Sequence, residues 1–307
     1  MKQFDEKPYL EHVKGNTYCI VLSYVRIPVY MLDNGTAIML DSGMLRSWDV
    51  ILQLLEQEHL HITSVLTSHS HPDHVGNHMK LQQHFGSKLY MSPFTAAIYA
   101  SPMNMTAMGH GFISYRKLVG SLGDPIHTDH LIDVSATSVT VDSVTFGMVC
   151  TPGHAAEHLA FITPDNVAYL GDAVLSEHML QSLRLPYCSC IEPDLESKEV
   201  LKQLNCDRYI VAHNGVYDEI SSLIQQNQNW MLEKAQTIEY LCDDYYTIDE
   251  IAQKFMILTN AKTDAIRTVN GIRRNVSAFV EYLVDTERLD LQAKDGIMKF
   301  KSKNPVV

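Results

Sequence analysis

Several features are scarce or missing in this 307-residue sequence, and each absence excludes a class of protein. No run of 18 or more apolar residues occurs, so a membrane-spanning segment is not expected. The stretch 1–8 lacks the apolar core of a secretory signal, which favours a cytoplasmic protein. The six cysteines are scattered and form no C-x-x-C pair, so a dense disulfide scaffold is not expected either. Cys188 and Cys190 are close in sequence and are interpreted as structural, with a redox or third-metal role as the alternative.

Basic residues are also few. Lys and Arg number 24 against 36 Asp and Glu, which gives a net charge of −12. Broad affinity for nucleic acid needs a basic surface and is therefore disfavoured, although a local basic groove stays open. The length allows about two domains.

One short stretch stands out against this ordinary composition. Ser68–His74 reads S-H-S-H-P-D-H and directly follows the apolar-rich run 62–67. It contains three imidazoles and one carboxylate, the side chains that borderline divalent metal ions prefer as ligands. A metal site is the first hypothesis, and a histidine-rich polar loop is the alternative.

The spacing within this stretch indicates two ions rather than one. His69 and His71 are two residues apart, so in an extended segment both point the same way and can converge on one ion. Pro72 fits the first turn of a helix. Asp73 and His74 would then lie at the mouth of that helix, aimed at a neighbouring point.

The remaining pattern alternates strands with helices. Asp33-Asn34-Gly35 between apolar runs predicts a β-hairpin. Apolar spacing predicts strands at 18–24, 29–32, 36–40, 62–67, 88–92, 138–151, 159–162, 167–170 and 208–211, and helices at 48–58, 72–85, 194–204 and 218–246.

Three further candidate ligands follow predicted strands. His154 comes after Thr-Pro-Gly, Asp172 after Gly171, and His213 after Ala212. A lone histidine at a strand end is usually a hydrogen-bonded turn residue. Functional groups, however, tend to lie on loops at the ends of rigid strands, and together with the first stretch these residues complete two coordination sets.

Five separated motifs resemble those of the metallo-β-lactamase superfamily in order and separation. They are Leu40-Asp41-Ser42-Gly43, His69-Ser70-His71-Pro72-Asp73-His74, Thr151-Pro152-Gly153-His154, Gly171-Asp172 and Ala212-His213. The resemblance implies an α+β fold, a four-layer αβ/βα sandwich, over residues 1–220. Residues 221–307 would form a mostly helical, winged-helix-like extension.

The resemblance also implies a role for each candidate. His69, His71 and His154 resemble the ligands of a first metal, and Asp73, His74 and His213 those of a second. Asp172 resembles the carboxylate that bridges the two. Asp41 would orient a ligand imidazole through its other ring nitrogen. His158 is interpreted as a structural residue one layer behind the ligands, with the substrate-facing role that some hydrolases of the family give this position as the alternative, and His78 as a helix-face residue.

These roles predict a hydrolase in which a hydroxide bridging two divalent metals attacks a small ester, thioester or lactone, in the manner of glyoxalase II. Asp73 and Asp172 would be the catalytic carboxylates, with Asp73 helping to hold the proton of the attacking water. Zinc fits nitrogen and oxygen ligands best, and iron and manganese stay open.

Two alternatives remain. One is a metal-dependent phosphodiesterase or endoribonuclease, and the other is a non-catalytic metal-binding protein of the same fold. Flavodiiron proteins are disfavoured because they carry Glu where His71 stands, and secreted β-lactamases because they lack the long tail.

The segment 93–133 lacks a sustained apolar periodicity, so we predict a partly helical insertion there, with a lid over the site as one interpretation.

The tail from residue 225 onwards contains 11 Lys and Arg and 12 Asp and Glu, so it is about neutral. Its basic residues, Arg273, Arg274, Lys299, Lys301 and Lys303, are interpreted as a solvated face. We therefore expect a small-molecule substrate, no membrane partner, and a homodimer as one possible assembly.

Overall fold

The computed structural model describes residues 8–108 and 125–304, which contain two large β-sheets. The first sheet is built from seven strands among the described residues, with neighbours in chain order. Its first three pairings are antiparallel and its last three are parallel. The strands are β1 (Tyr9–Lys14), β2 (Thr17–Val21), β3 (Arg26–Met31), β4 (Thr36–Leu40), β5 (His61–Leu66), β6 (Lys88–Met91) and β7 (His130–Leu131).

The second sheet has the order β13-β12-β11-β10-β9-β8. Only β11 and β12 run parallel in this described sheet. Its strands are β8 (Ser138–Val141), β9 (Val144–Cys150), β10 (Leu159–Ile162), β11 (Val167–Tyr169), β12 (Arg208–Val211) and β13 (Gly215–Tyr217).

Helices cover both sheets, as the predicted sandwich requires. The described helices are α1 (Trp48–Gln57), α2 (Pro72–Val75), α3 (His78–Phe85), α4 (Pro93–Tyr99), α5 (Pro102–Met108), α6 (Glu177–Ser182), α7 (Ile191–Leu201), α8 (Ser221–Leu241), α9 (Ile248–Leu258) and α10 (Ile266–Asp285). Ile51 and Leu55 of α1 join one core with strand residues of both sheets, such as Ile38 and Phe161. Leu223 of α8 packs on the second sheet. The fold is therefore the four-layer sandwich that the sequence predicted.

The predicted hairpin at 33–35 is present as a short 3₁₀ turn between β3 and β4. The predicted single helix over 72–85, however, is wrong, because it is interrupted between α2 and α3. At Gly76 a Cβ would lie 2.5 Å from the backbone nitrogen of Leu45. Asn77 donates side-chain hydrogen bonds to the carbonyls of Ser42 and Met44. The chain departs from the helix here to pack against the segment after β4.

The tail has the predicted winged-helix-like order, three helices followed by a hairpin of β14 (Leu289–Lys294) and β15 (Ile297–Ser302). Thr247 forms the predicted capping box with Glu250 at the start of α9. Helix α8 belongs to both parts, because Leu223 packs on the second sheet and Met231 in the core of the tail. A boundary at residue 220 remains a prediction.

The segment 93–133 is partly helical as predicted, through α4 and α5. The stretch on which a lid would depend, 109–124, lies outside the described residues. Among the helices of the described chain, none combines the length and apolar character needed to cross a membrane.

Candidate metal centre

The candidate ligands lie where neighbouring strands of both sheets end. His69 and His71 follow β5, Asp73 and His74 lie in α2, and His154 lies between β9 and β10. Asp172 follows β11, and His213 separates β12 from β13. The carboxyl ends of parallel strands meet at one edge of a sheet, which brings together residues that follow β4 and β5, and those that follow β11 and β12. A hydrogen bond from the Arg26 amide to the Ala212 carbonyl, 2.7 Å long, joins the two sheets beside this edge.

One group of donors consists of His69, His71, His154 and Asp172, whose ligand atoms all lie within 4.8 Å of one another. The Nδ1 atom of His71 is 3.0 Å from Nε2 of His69 and 2.9 Å from Nε2 of His154. Oδ2 of Asp172 lies 3.4 Å from Nε2 of His154. Four donors thus converge on one point.

A second group consists of Asp73, His74 and His213. Nε2 of His213 lies 3.3 Å from Oδ2 of Asp73. Oδ1 of Asp172 lies 3.4 Å from Nε2 of His74 and 3.4 Å from Nε2 of His213. Asp172 therefore directs one carboxylate oxygen toward each group.

Asp41 fixes the orientation of two of these imidazoles. Its Oδ2 lies 2.7 Å from Nδ1 of His74 and accepts the hydroxyl hydrogens of Ser68 and Tyr169. Since Ser68 Oγ donates to Asp41, it is left to accept from Nδ1 of His69, 2.9 Å away. Both imidazoles are thereby held with Nδ1 protonated and the lone pair of Nε2 directed into the site.

Two other contacts orient the opposite side of the centre. Nδ1 of His213 lies 2.7 Å from the carbonyl oxygen of Tyr24 and donates to it. Nε2 of His158 accepts the backbone N–H of Asp172 at 3.1 Å, while its Nδ1 bonds to the hydroxyl of Thr151. His158 contacts the backbone behind the centre, which agrees with the structural role predicted for it.

The donor set fits divalent cations. Nε2 of His74 and Oδ1 of Asp172 are buried and have no hydrogen-bond partner within the described parts of the chain. Because the Nδ1–H of His74 donates its hydrogen bond to Asp41, the Nε2 lone pair faces the Asp172 oxygen at 3.4 Å. Two lone pairs facing each other in a buried site repel unless a cation lies between them. Nitrogen and oxygen donors of this kind suit zinc, iron or manganese.

The ionisation states agree with this fit. Burial, reinforced by neighbouring imidazoles, lowers the pKa of His69 and of His154 well below the usual range, so both are neutral. Burial would raise the pKa of Asp172, but His74 and His213 lower it well below its ordinary value. Burial opposes the charge on His213, yet Asp172 and Asp73 raise its pKa to about 10. The second group thus requires positive charge, which either a proton or a metal ion supplies.

The loop before His154 is held by residues that the sequence analysis did not assign to the site. Gly153 has φ 133° and lies so close to α7 that a Cβ would be 2.3 Å from the Asp194 Cα. Its carbonyl accepts hydrogen bonds from Cys188 Sγ and from the Ser189 amide. Ser197 donates to the Pro152 carbonyl. Cys188 is buried and its pKa is raised by that burial, which agrees with the structural interpretation of this cysteine.

Two predictions need refinement. His78 lies on a helix face as predicted, but on a buried one, where its ring bridges the hydroxyls of Ser42 and Thr67 at 2.6 and 2.7 Å. The solvated face predicted for the tail is wrong at Arg274, whose Cζ lies 3.9 Å from the centre of the Tyr187 ring. Tyr187 in turn packs edge-on against His71 and His154. No sequence signal marked Tyr187, since its neighbours in space come from distant parts of the chain.

The family profile described as Metallo-beta-lactamase superfamily matches residues 24–213. The chain belongs to the metallo-beta-lactamase superfamily. The match contains all seven candidate ligands and ends at the last of them, His213. The tail lies outside it.

Relatives in this superfamily are distant. A hydroxyacylglutathione hydrolase of Haemophilus influenzae is 26% identical over 196 residues, which cover 64% of this chain and 87% of the relative. A lactamase-like protein of Aspergillus fumigatus is 25% identical over 205 residues, covering 64% of this chain and half of that protein.

Solved structures of the superfamily share the fold over almost the whole chain, tail included. A metallo-beta-lactamase family protein from Thermus thermophilus has a TM-score of 0.71 at 16% identity, covering 97% of this chain and 99% of that one. A beta-lactamase domain protein from Burkholderia ambifaria has a TM-score of 0.69 at 19% identity, covering 97% and 95%. At these identities the likeness concerns the fold alone.

Proposed function

We propose that this chain is a metal-dependent hydrolase that holds two divalent cations and cleaves a small ester, thioester or lactone. One observation carries the proposal: Asp172 directs one oxygen toward each of two groups of imidazoles, and both its Oδ1 and the facing His74 Nε2 are buried without a partner in the described chain. His69, His71 and His154 would hold one ion, Asp73, His74 and His213 the other, and Asp172 would contact both.

Bound divalent cations would supply an acidic water and polarise the scissile carbonyl group. The carboxylates of Asp172 and Asp73 differ in exposure, and this difference indicates separate roles. Asp172 has 7% of its side chain exposed and serves to hold the two groups together, whereas Asp73 is 20% exposed and faces the accessible side. Burial would raise the pKa of Asp73, but its hydrogen bond with His213 and the charge of His74 lower it to about 2. Asp73 is therefore ionised at neutral pH, and its carboxylate can accept a hydrogen bond from the attacking water.

The substrate class rests on chemistry and on one relative. A site whose histidines and carboxylates are all engaged with cations contains no side chain assigned as a nucleophile, so water is the attacking group and hydrolysis the reaction. The Haemophilus influenzae relative is named a hydroxyacylglutathione hydrolase, and hydroxyacylglutathiones are thioesters. We propose zinc as the metal, with iron and manganese as alternatives, and a small molecule rather than nucleic acid or membrane as the partner.

The experiment measures metal content and turnover on the same preparation. Metal-loaded protein is assayed against hydroxyacylglutathione thioesters, simple esters, lactones and a short single-stranded RNA. Turnover of an ester, thioester or lactone is expected, and Asp73→Ala should lower it by more than about 100-fold, because even partners one layer behind a ligand typically cost 10–100-fold. The matched control is Asp33→Ala, an exposed carboxylate in the turn before β4, at the opposite end of that strand from Asp41, which should leave turnover unchanged.

Two outcomes would overturn the proposal. Cleavage of RNA alone, abolished by Asp73→Ala, would identify a nuclease instead. Fewer than one ion per chain after loading, with no turnover, would leave a non-catalytic protein of the same fold.

A further inference from the structure

The tail places a cation beside the candidate metal centre. Arg274 lies in α10, outside the region that the superfamily profile matches. Its guanidinium carbon is 3.9 Å from the centre of the Tyr187 ring. That ring is 4.5 Å from the ring of His71 and 5.3 Å from that of His154, centre to centre. One side chain therefore separates Arg274 from two of the candidate ligands.

The charge of Arg274 has no counterpart in the described chain. Several other arginines there form ion pairs, as its neighbour Arg273 does with Asp249 and Arg288 with Glu239. Arg274 forms none with a described residue, and its Nη1 is buried without a hydrogen-bond acceptor in the same parts of the chain. Burial lowers the pKa of Arg274, and the groups that oppose this effect are Tyr187 and Cys188 rather than a carboxylate. Arg274 is half-buried, and a guanidinium partly withdrawn from water without an anion is costly, so an anion from outside the described chain would stabilise it.

The stacking keeps this guanidinium ready for such a partner. A planar cation that lies over an aromatic ring is held by the ring face, and its in-plane N–H groups remain available as donors. Two parallel N–H groups match the two oxygens of a carboxylate or a phosphate. Tyr187 thus holds the cation at a fixed place next to the centre.

We propose that Arg274 binds an anionic group of the substrate, a carboxylate or a phosphate, while the scissile bond lies at the metal centre. The inference rests on the proposed function and narrows it to anionic esters or thioesters. It also gives the tail a direct part in substrate selection.

The test compares matched substrates on the metal-loaded protein. Nitrophenyl monoesters of dicarboxylic acids of increasing length are paired with nitrophenyl esters of uncharged acids of equal length. Arg274→Gln should raise KM for the best charged ester about 10- to 100-fold, the contribution of one charge-assisted hydrogen bond, and leave kcat/KM of the neutral ester within about 3-fold. Arg274→Lys should recover part of the loss. The control is Arg273→Gln, which removes an adjacent but exposed guanidinium that is paired with Asp249.

A binding measurement separates this inference from the proposed function. Calorimetry with succinate and with inorganic phosphate should show binding to the wild-type and Arg273→Gln proteins, and at least about 10-fold weaker binding to Arg274→Gln. The tighter of the two probes identifies the anion. If no ester is hydrolysed, the proposed function is wrong, but the calorimetry still tests whether Arg274 binds an anion.

Several results would overturn the inference. One is an equal fall in kcat/KM for charged and neutral esters in Arg274→Gln, which would mean that Arg274 only stabilises the contact between the tail and the sandwich. Another is the absence of binding of either anion to the wild-type protein. If Arg274→Gln does not fold, Arg274→Lys, which keeps the charge but loses the planar fork, is used alone, and unchanged affinity for both anions would contradict the proposal.

Discussion

At the scale of single residues, the centre depends on which ring nitrogen carries the proton. Asp41 accepts hydrogen bonds from the Ser68 amide, the Ser68 hydroxyl and the Tyr169 hydroxyl, and also contacts His74 Nδ1. It adopts a left-handed conformation, φ 66°, which a non-glycine residue rarely takes. The surrounding bonds fix this conformation and direct the lone pairs of His69 and His74 inward.

We expect Asp41→Asn to weaken metal binding about 10- to 100-fold, although Asp41 contacts no metal itself. The amide group can present its NH₂ toward His74 Nδ1, which favours the wrong tautomer. Competition with a chelator measures the affinity. Asp33→Asn, an exposed change of the same type, serves as the control, and equal affinities in both variants would contradict the role given to Asp41.

Asp172→Ala is expected to weaken both metals together, since each carboxylate oxygen faces a different group of donors. Asp73→Ala should remove the second metal preferentially, because Asp73 belongs to that group alone. Metal content by mass spectrometry, at a fixed series of chelator concentrations, distinguishes the two variants. Selective loss of one metal from Asp172→Ala would show that the bridging assignment is wrong.

At the scale of elements, the site is made by strand ends and by the turns that follow them. The turn before His154 packs against α7 so closely that there is no space for a side chain at position 153. The interruption between α2 and α3 has the same kind of cause, since the backbone at Gly76 packs on the segment after β4. Packing between elements, rather than local preference, thus decides both features.

Gly153→Ala should lower the free energy of unfolding by about 2 kcal/mol or more, because the new Cβ would overlap the backbone of Asp194 at an unfavourable φ. It should also lower occupancy of the first metal by displacing His154. Gly271→Ala in α10, where no atom lies within 4 Å of the added Cβ, is the control and should raise stability by about 0.5–1 kcal/mol. Urea unfolding and metal content measure both. Similar stabilities for the two variants would contradict the packing argument.

At the scale of the whole molecule, both sheets supply residues to the candidate metal centre, and the tail contacts it through Tyr187. One core extends between the sheets, and a second joins the tail helices to the segment after α6 through Leu185, Cys188 and Ile191. The segment that carries Tyr187 is therefore fixed by the tail. Metal binding is expected to stabilise the sandwich because all its ligands come from elements of the main domain.

Without metal, stability should fall as the pH rises from 7 to 10. The pKa of His213 is raised to about 10, and that of His74 is also raised, against about 6.5 in the unfolded chain. Their contribution is fully present below about pH 6.5 and is lost as the pH approaches 10. The lowered pKa of Asp172 adds a constant amount of stability in this window and no dependence on pH, because that carboxylate is ionised in both states above about pH 4.

Thermal unfolding of the metal-free and the zinc-loaded protein at pH 7, 8.5 and 10 tests this expectation. The metal-free protein should lose stability more steeply, because zinc replaces the protons in the loaded form. Titrations away from the centre, such as that of buried Cys19, contribute to both forms alike. Parallel curves for the two forms would contradict the expectation.

The sequence by itself determined the strands that precede the ligands and the histidine cluster at 69–74, because apolar periodicity and the spacing of that cluster are local signals. The fold class and the roles of the seven candidate ligands came from the sequence through the resemblance of five separated motifs to one superfamily. Only the tertiary structure decided that the helix after Pro72 is interrupted, that His78 is buried, and that Arg274 reaches Tyr187. Each of these depends on contacts between residues far apart in the chain, and such contacts leave no periodic pattern in the sequence.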